Sequence, residues 1–328
     1  KGNFENGQQT GTWIQWYENG QKESEINNEN GLNTTWNELG EKVMEGKIIN
    51  ELREGEWKYW YPNGNLRTVN NFVNDKRHGE QKQYYENGNP KALINFENGI
   101  RQGEAKWWRE DGTIDIEGFF KNDMQDGLWT YWRTDGTKGN EGKYIQDKMH
   151  GRWTYWYGNK QIWKEVDYEN GKKNGLWLIY YEDGQKFREG QFENDTEIGL
   201  WKEWYENGQL KHEGSFDFGK MVGVWKSYYE NGQLLSEVDY ENGLFSGKRE
   251  FYYANGNKNF IENYKIIDVD PATNIMGIDK KSVMHGPYSS YNISGVKLID
   301  GEYNLGSRVG KWTTKNNNGD LIKTQEYK

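Results

Sequence analysis

Four histidines, no cysteine and a scatter of serines and carboxylates bound the side-chain chemistry open to this 328-residue chain. A hydrolase would need Ser215, Ser227 or Ser290 with a histidine and an acid at a consistent offset, and no such offset recurs. A glycosidase would need two carboxylates singled out from the rest; here the carboxylates are many and follow a regular pattern. Asp268, Asp270, Asn274 and Asp279 have the loose look of a calcium loop, but the acidic third ligand and the central glycine of such a loop are absent. Without cysteine there are no disulfides and no thiol chemistry.

The elements that must position these groups are repeats. Glycines 31, 55, 79, 103, 127, 151, 175, 199, 223 and 247 open nine successive intervals of 24 residues, preceded by Gly11 and resumed at Gly286 and Gly310. Two residues after the glycine stands a tryptophan in Trp13, Trp57, Trp129, Trp153, Trp177, Trp201, Trp225 and Trp312, and a second aromatic follows three residues later in all copies but the last. Asn207-Gly208 and its counterparts separate two alternating runs, which predicts a hairpin with a tight type I′ turn. At Asn159-Lys160 the glycine is lost, and a strained lysine is expected. A second, looser turn such as residues 217–220 leads into the next tryptophan strand. Connections this short make every pairing antiparallel.

The expected fold is therefore all-β: an elongated, twisted, single-layer antiparallel ribbon of consecutive 24-residue hairpins. At two strands per repeat the sheet advances about 9.6 Å per copy, or on the order of 120 Å for 13 copies. His78 and His150 then lie roughly 29 Å apart, too far for one metal, and turn positions account for them. The register places Trp201 opposite Gly214 and Tyr205 opposite Leu210 on an apolar face, with Phe216 beyond. The other face sets Leu200, Lys202 and Trp204 against Ser215, Glu213 and Lys211, a ladder of cross-strand pairs. Residues 1–264 form the array, irregular over 1–54 and regular over 55–264; residues 265–285 are an inserted loop, and 286–328 a closing pair of repeats.

The run G-x-W-x-x-[WY]-Y-x-N-G, followed by Glu and an aromatic before N-G-x-x-x-G, resembles the MORN-repeat family, and more closely its bacterial variant repeat, over residues 4–264 and 286–328. The copy at Gly31 departs from it, with Asn33 and Leu39 in place of Trp and Asn. The resemblance implies hairpin repeats used in protein interaction or scaffolding. Some similar bacterial proteins carry an antitoxin label, and lipid binding has been proposed for MORN proteins generally. It brings no catalytic residues.

Mean hydropathy of -1.16 beside 16% aromatic residues suits a one-layer sheet, in which aromatic packing replaces an aliphatic core. A net charge of -9 without a basic run argues against nucleic acid and anionic headgroups. The sequence holds no transmembrane span, and its start at Lys1, in the second half of a repeat, points to a missing upstream part. Abundant Asn, Lys, Glu and Ile suggest an AT-rich bacterial source, with the cell envelope or surface as the expected location and the cytoplasm as the alternative.

No enzyme activity, cofactor or metal is expected. The first expectation is an interaction scaffold with a protein partner, an accessory subunit of an envelope or surface assembly. Its candidate contacts are the row Trp60, Trp108, Trp132, Trp156 and Trp204, and Ile266, Ile267 and Met276 in the insertion. A glycan stacked on the same tryptophan row is the second, against the plainer account that the row only packs repeat on repeat. An antitoxin or immunity role is the third. Open sheet edges add end-to-end self-association.

Overall fold

A computed structural model describes residues 1–27, 29–270 and 278–328. Strands and turns make up the described residues, in two compact units, Lys1–Lys160 and Gln161–Lys328. Within each unit successive strands pair antiparallel in chain order. Asn3–Glu5 and Gln8–Thr10 form a small hairpin of their own, joined to the next strand by backbone bonds between Lys1 and Ile14 and by Phe4 against Trp13 at 4.8 Å. The 24-residue hairpin repeat read from the sequence is the building block of both units.

The two turns of the repeat are exchanged relative to expectation. At Asn207-Gly208 the N–H of Gly208 bonds the carbonyl of Tyr205 at 2.9 Å, and Gly208 alone takes positive φ, at +80°. This is a three-residue loop, a type I turn closed by a glycine bulge. It shifts the register by one, so Trp204, not Tyr205, stands opposite Leu210, and Lys211 is not its partner. The looser turn is the tight one: Phe218 (φ 42°) and Gly219 (φ 78°) are both left-handed, closed by the pair Asp217 and Lys220. That is the type I′ geometry. Asn207 serves instead as a side-chain clamp. Its Oδ1 accepts the Gln209 N–H at 2.9 Å, and its Nδ2 donates to the carbonyl of Glu230, on the next hairpin tip, at 2.9 Å. Lys160, as expected, is held at φ 72°.

The opening glycine has a structural reason. Between the Glu189–Lys202 and Gln191–Ile198 pairs, Gly190 alone faces Gly199, Leu200 and Trp201, a bulge that Gly199 turns at φ 64°. The bulge lays the indole of Trp201 over Gly190, the glycine eleven residues earlier on the preceding hairpin. Trp201 does pair in register with Gly214, yet Gly214 is covered by Trp225. Trp57, Trp129, Trp153 and Trp312 sit likewise over Gly46, Gly118, Gly142 and Gly301. In Trp57, Trp129, Trp153, Trp225 and Trp312 the indole N–H donates to the carbonyl just after the covered glycine, at 3.1 to 3.2 Å. An aromatic nine residues back meets the ring edge-on, as Phe120 meets Trp129 at 5.2 Å and Phe216 meets Trp225 at 5.0 Å. The core is this file of seated indoles.

Hairpin tips are also tied repeat to repeat. The hydroxyls of Tyr61, Tyr85, Tyr205 and Tyr229 each donate to a carbonyl 23 residues on, at 2.9 Å. Where arginine replaces tyrosine, Arg109 reaches the carbonyls of Trp132 and Arg133.

The inserted segment is not simply a loop. Strand Lys258–Asp268 runs on past the repeat and pairs with Lys280–Met284, from Tyr264 against Met284 to Asp268 against Lys280. Isoleucines at 266 and 267 favour this extension.

Candidate interaction surfaces

The expected tryptophan row is half-buried and already in use. Trp60 lies under Lys42 at 5.8 Å, Trp108 under Lys106 at 5.8 Å, and Trp204 under Lys186 at 5.8 Å. Lys138 is shared by Trp132 (5.9 Å) and Trp156 (5.7 Å). The lysines are in turn paired, Lys138 with Glu141 at 2.5 Å and Lys186 with Glu189 at 2.6 Å, and the Trp132 Nε1–H donates to Glu117 at 3.2 Å. Trp60, Trp108, Trp132 and Trp156 belong to the first unit and Trp204 to the second. The lysine comes from a neighbouring strand in every case but Lys106, which shares the strand Ile100–Trp108 with its tryptophan.

In the insertion Ile266 pairs with Ser282 and Ile267 with Lys281; both are half-buried and, as neighbours on one strand, point to opposite faces. Met276 and Asn274 lie outside the described residues.

Two features were missed in the sequence. The first is an exposed apolar row in the second unit: Leu176, Leu200 and Val224 follow the opening glycine in three successive repeats, at 41%, 53% and 49% exposure. They stand at the repeat spacing on the face that carries Lys202 and Glu213. Only Leu200 was assigned to that face from the register, and nothing in its type distinguishes an exposed leucine from a buried one.

The second is a groove of about 340 Å³ in the same unit, on the seated-indole face. Its floor is a row across five adjacent strands in which cross-strand pairing runs Arg188 to Glu203 to His212 to Ser227 to Ser236. The corresponding row of the first unit includes Tyr59, Trp107 and Tyr131. His212 Nδ1 and Ser227 Oγ are 2.9 Å apart, Glu203 takes a bond from Lys211 Nζ at 2.8 Å, and Ser236 is buried. Burial pushes the His212 imidazolium below its usual range, with Glu203 pulling the other way, so the ring is neutral at pH 7. Arg188 lies against Trp201 at 4.9 Å, with no carboxylate in ion-pair reach among the described residues. The sequence signal was available: at the fifth place of the repeat, aromatic at Tyr59, Trp107, Tyr131, Tyr155 and Phe251, stand Glu203 and Ser227.

This row is not a hydrolytic triad. Activation of a serine through histidine requires the acid on the imidazole nitrogen that faces away from the serine. Glu203 is turned to Lys211 instead.

The family described as MORN repeat variant matches residues 9–30, 53–74, 77–98, 101–122, 149–170, 173–194, 197–217, 221–242 and 245–265. Curated proteins give no match. Among solved structures, the chain is similar to one titled "Crystal Structure of TcdB2-TccC3-Cdc42", at 12% identity and TM-score 0.19, over 97% of this chain and 21% of that one. It is similar to a Photorhabdus luminescens Tc holotoxin pore, at 10% identity and TM-score 0.18, over 97% and 21% of the two chains. The chain thus spans about a fifth of the length of these structures. No helix among the described residues is long and apolar enough to cross a membrane.

Proposed function

This chain belongs to the MORN repeat variant family, and on that premise we propose that it is a non-catalytic scaffold for a protein partner, an accessory subunit of a bacterial envelope or surface assembly. MORN repeats are in general protein- or membrane-binding modules. Charge favours protein over membrane here, since a net charge of -9 without a basic run repels anionic headgroups.

The observation that carries the reading is the exposed file Leu176, Leu200 and Val224. Three aliphatic side chains in successive repeats, flanked by charged cross-strand pairs such as Lys226 and Glu237 at 3.1 Å, have the make-up of an interface core with a polar rim. Removing such side chains from water against a partner contributes about 25 cal/mol per Å² of apolar area.

The test is co-purification from the native host with crosslinking and mass spectrometry, comparing the unaltered chain with a Leu176→Glu, Leu200→Glu double variant. Crosslinks to one stoichiometric protein at this face, lost in the variant while circular dichroism is unchanged, support the scaffold. A partner that the variant retains in full rules out this face. Fractionation of the same cells decides between envelope and cytoplasm.

A further inference from the structure

We propose that the groove over Trp225 is a binding site for a neutral saccharide, one pyranose ring of which stacks on the outer face of the indole. This site is on the opposite face from the leucine file and does not depend on it.

The inference starts from what the repeat omits there. In the first unit the fifth-place aromatic of one repeat covers the seated tryptophan 22 residues later: Trp107 stacks on Trp129 at 6.0 Å and 29°, and Tyr131 lies against Trp153 at 6.3 Å and 38°. The residue 22 before Trp225 is Glu203. The aromatic two places after the seated tryptophan, Tyr131 beside Trp129 or Tyr155 beside Trp153, is also replaced, by Ser227. Trp225 keeps its seat over Gly214 and its bond to the Ser215 carbonyl, but it is half-buried where Trp129, Trp153 and Trp201 are buried. One ring-sized place is therefore vacated above an indole face and opens into the groove.

The groups around that place select the occupant. Glu203 accepts hydrogen bonds, Arg188 donates them, and His212, Ser227 and Ser236 can each do either. Lys211 pairs with Glu203 and Arg249, also on the lining, with Glu262, and Arg188 is left to donate to a ligand. A ligand that satisfies it carries several hydroxyls around a flat apolar patch. A pyranose has this form, with C–H bonds on one face to meet the electron-rich indole and hydroxyls at its rim. A tyrosine side chain offers the flat face but a single hydroxyl, and it would leave most of the lining unpaired. At about 340 Å³ the groove lies at the small end of ligand sites, which run from about 300 to 1,000 Å³.

The experiment is titration of the full chain with neutral mono- and disaccharides (hexoses and N-acetylhexosamines), followed by intrinsic tryptophan fluorescence and calorimetry. The decisive variant is Glu203→Tyr, which restores the aromatic found in other repeats. It should fold at least as well as the parent and lower saccharide affinity at least about tenfold. Ser236→Ala should weaken binding without changing the unfolding temperature. Absence of saturable binding by any of these sugars up to tens of millimolar overturns the proposal. So does sugar binding that Glu203→Tyr leaves unchanged, or binding of a tyrosine-containing peptide in place of sugar.

Discussion

Trp225 lies flat on Gly214, close enough that a β-carbon added to that glycine would fall 2.1 Å from indole Cδ2. The indole N–H is meanwhile fixed to the next carbonyl, that of Ser215, at 3.2 Å. Seat and anchor are successive residues of one strand, so the ring has nowhere to shift without losing one of them.

Gly214→Ala is therefore expected to unseat the indole and destabilise the second unit by about 2–4 kcal/mol, the range of core disruptions. The check is urea unfolding followed by tryptophan fluorescence. Gly158→Ala, with open space around the added carbon and no left-handed backbone, is the control and should stay within about 1 kcal/mol of the parent.

Asn207→Asp keeps the acceptor for the Gln209 N–H but sets an oxygen against the Glu230 carbonyl that Nδ2 now serves. A loss of about 1 kcal/mol is expected, and Asn207→Ala should lose more because both bonds go. Thermal unfolding of the two variants side by side measures the difference. Equal stability of Asn207→Asp and parent would show that the tie between tips contributes nothing.

Lys160→Gly should stabilise the chain by about 1 kcal/mol, since lysine pays a steric cost at φ 72° that glycine does not. The expected reading is a melting temperature raised by a few degrees. A lowered one would mean that the lysine side chain compensates for its backbone.

Glu250 is 2% exposed and held between Lys248 and Lys258, the latter at 2.8 Å. Burial works to raise its carboxyl, but bonds from Lys248, Lys258 and Tyr252 outweigh it and hold the group below the ordinary carboxylate range. A depressed folded value means that the stabilisation is present above the unfolded carboxyl's value of about 4.3 and is lost as pH falls through the folded one. Glu250→Gln should therefore cost about 2 kcal/mol at pH 7, reduced from the fully buried case because both lysines are half-exposed. The deficit should be constant from neutrality to mild acid and shrink below about pH 4. Urea midpoints of both proteins across pH test this.

What the sequence made legible was whatever repeats. The glycine, tryptophan and Asn-Gly positions recur at 24 residues, and they define strands, antiparallel pairing and the Trp201 to Gly214 register. Turn types were less accessible, because Asn-Gly satisfies either loop geometry and the choice rests on bonds from Asn207 to the neighbouring tip. The glycine under each indole was misassigned for a similar reason. Register gives the cross-strand neighbour, whereas the bulge at Gly199 redirects the ring to the previous hairpin. The groove lay in the departures from the pattern. Glu203, His212 and Ser227 look unrelated along the chain, and cross-strand pairing alone makes them neighbours.

The eleven-residue reach from tryptophan to glycine also bears on how such a chain can change in length through inheritance. Loss of residues 127–150, one whole period, would bring Trp153 to the same distance from Gly118 that it now holds from Gly142, with Phe120 in the place of Tyr144. Each indole finds an equivalent seat after such an event, so copy number can drift by unequal recombination without any compensating substitution. A gain or loss of another length between an indole and the glycine eleven residues before it would strand that indole, whereas the insertion at 265–285 falls outside any such interval and leaves Trp312 seated on Gly301.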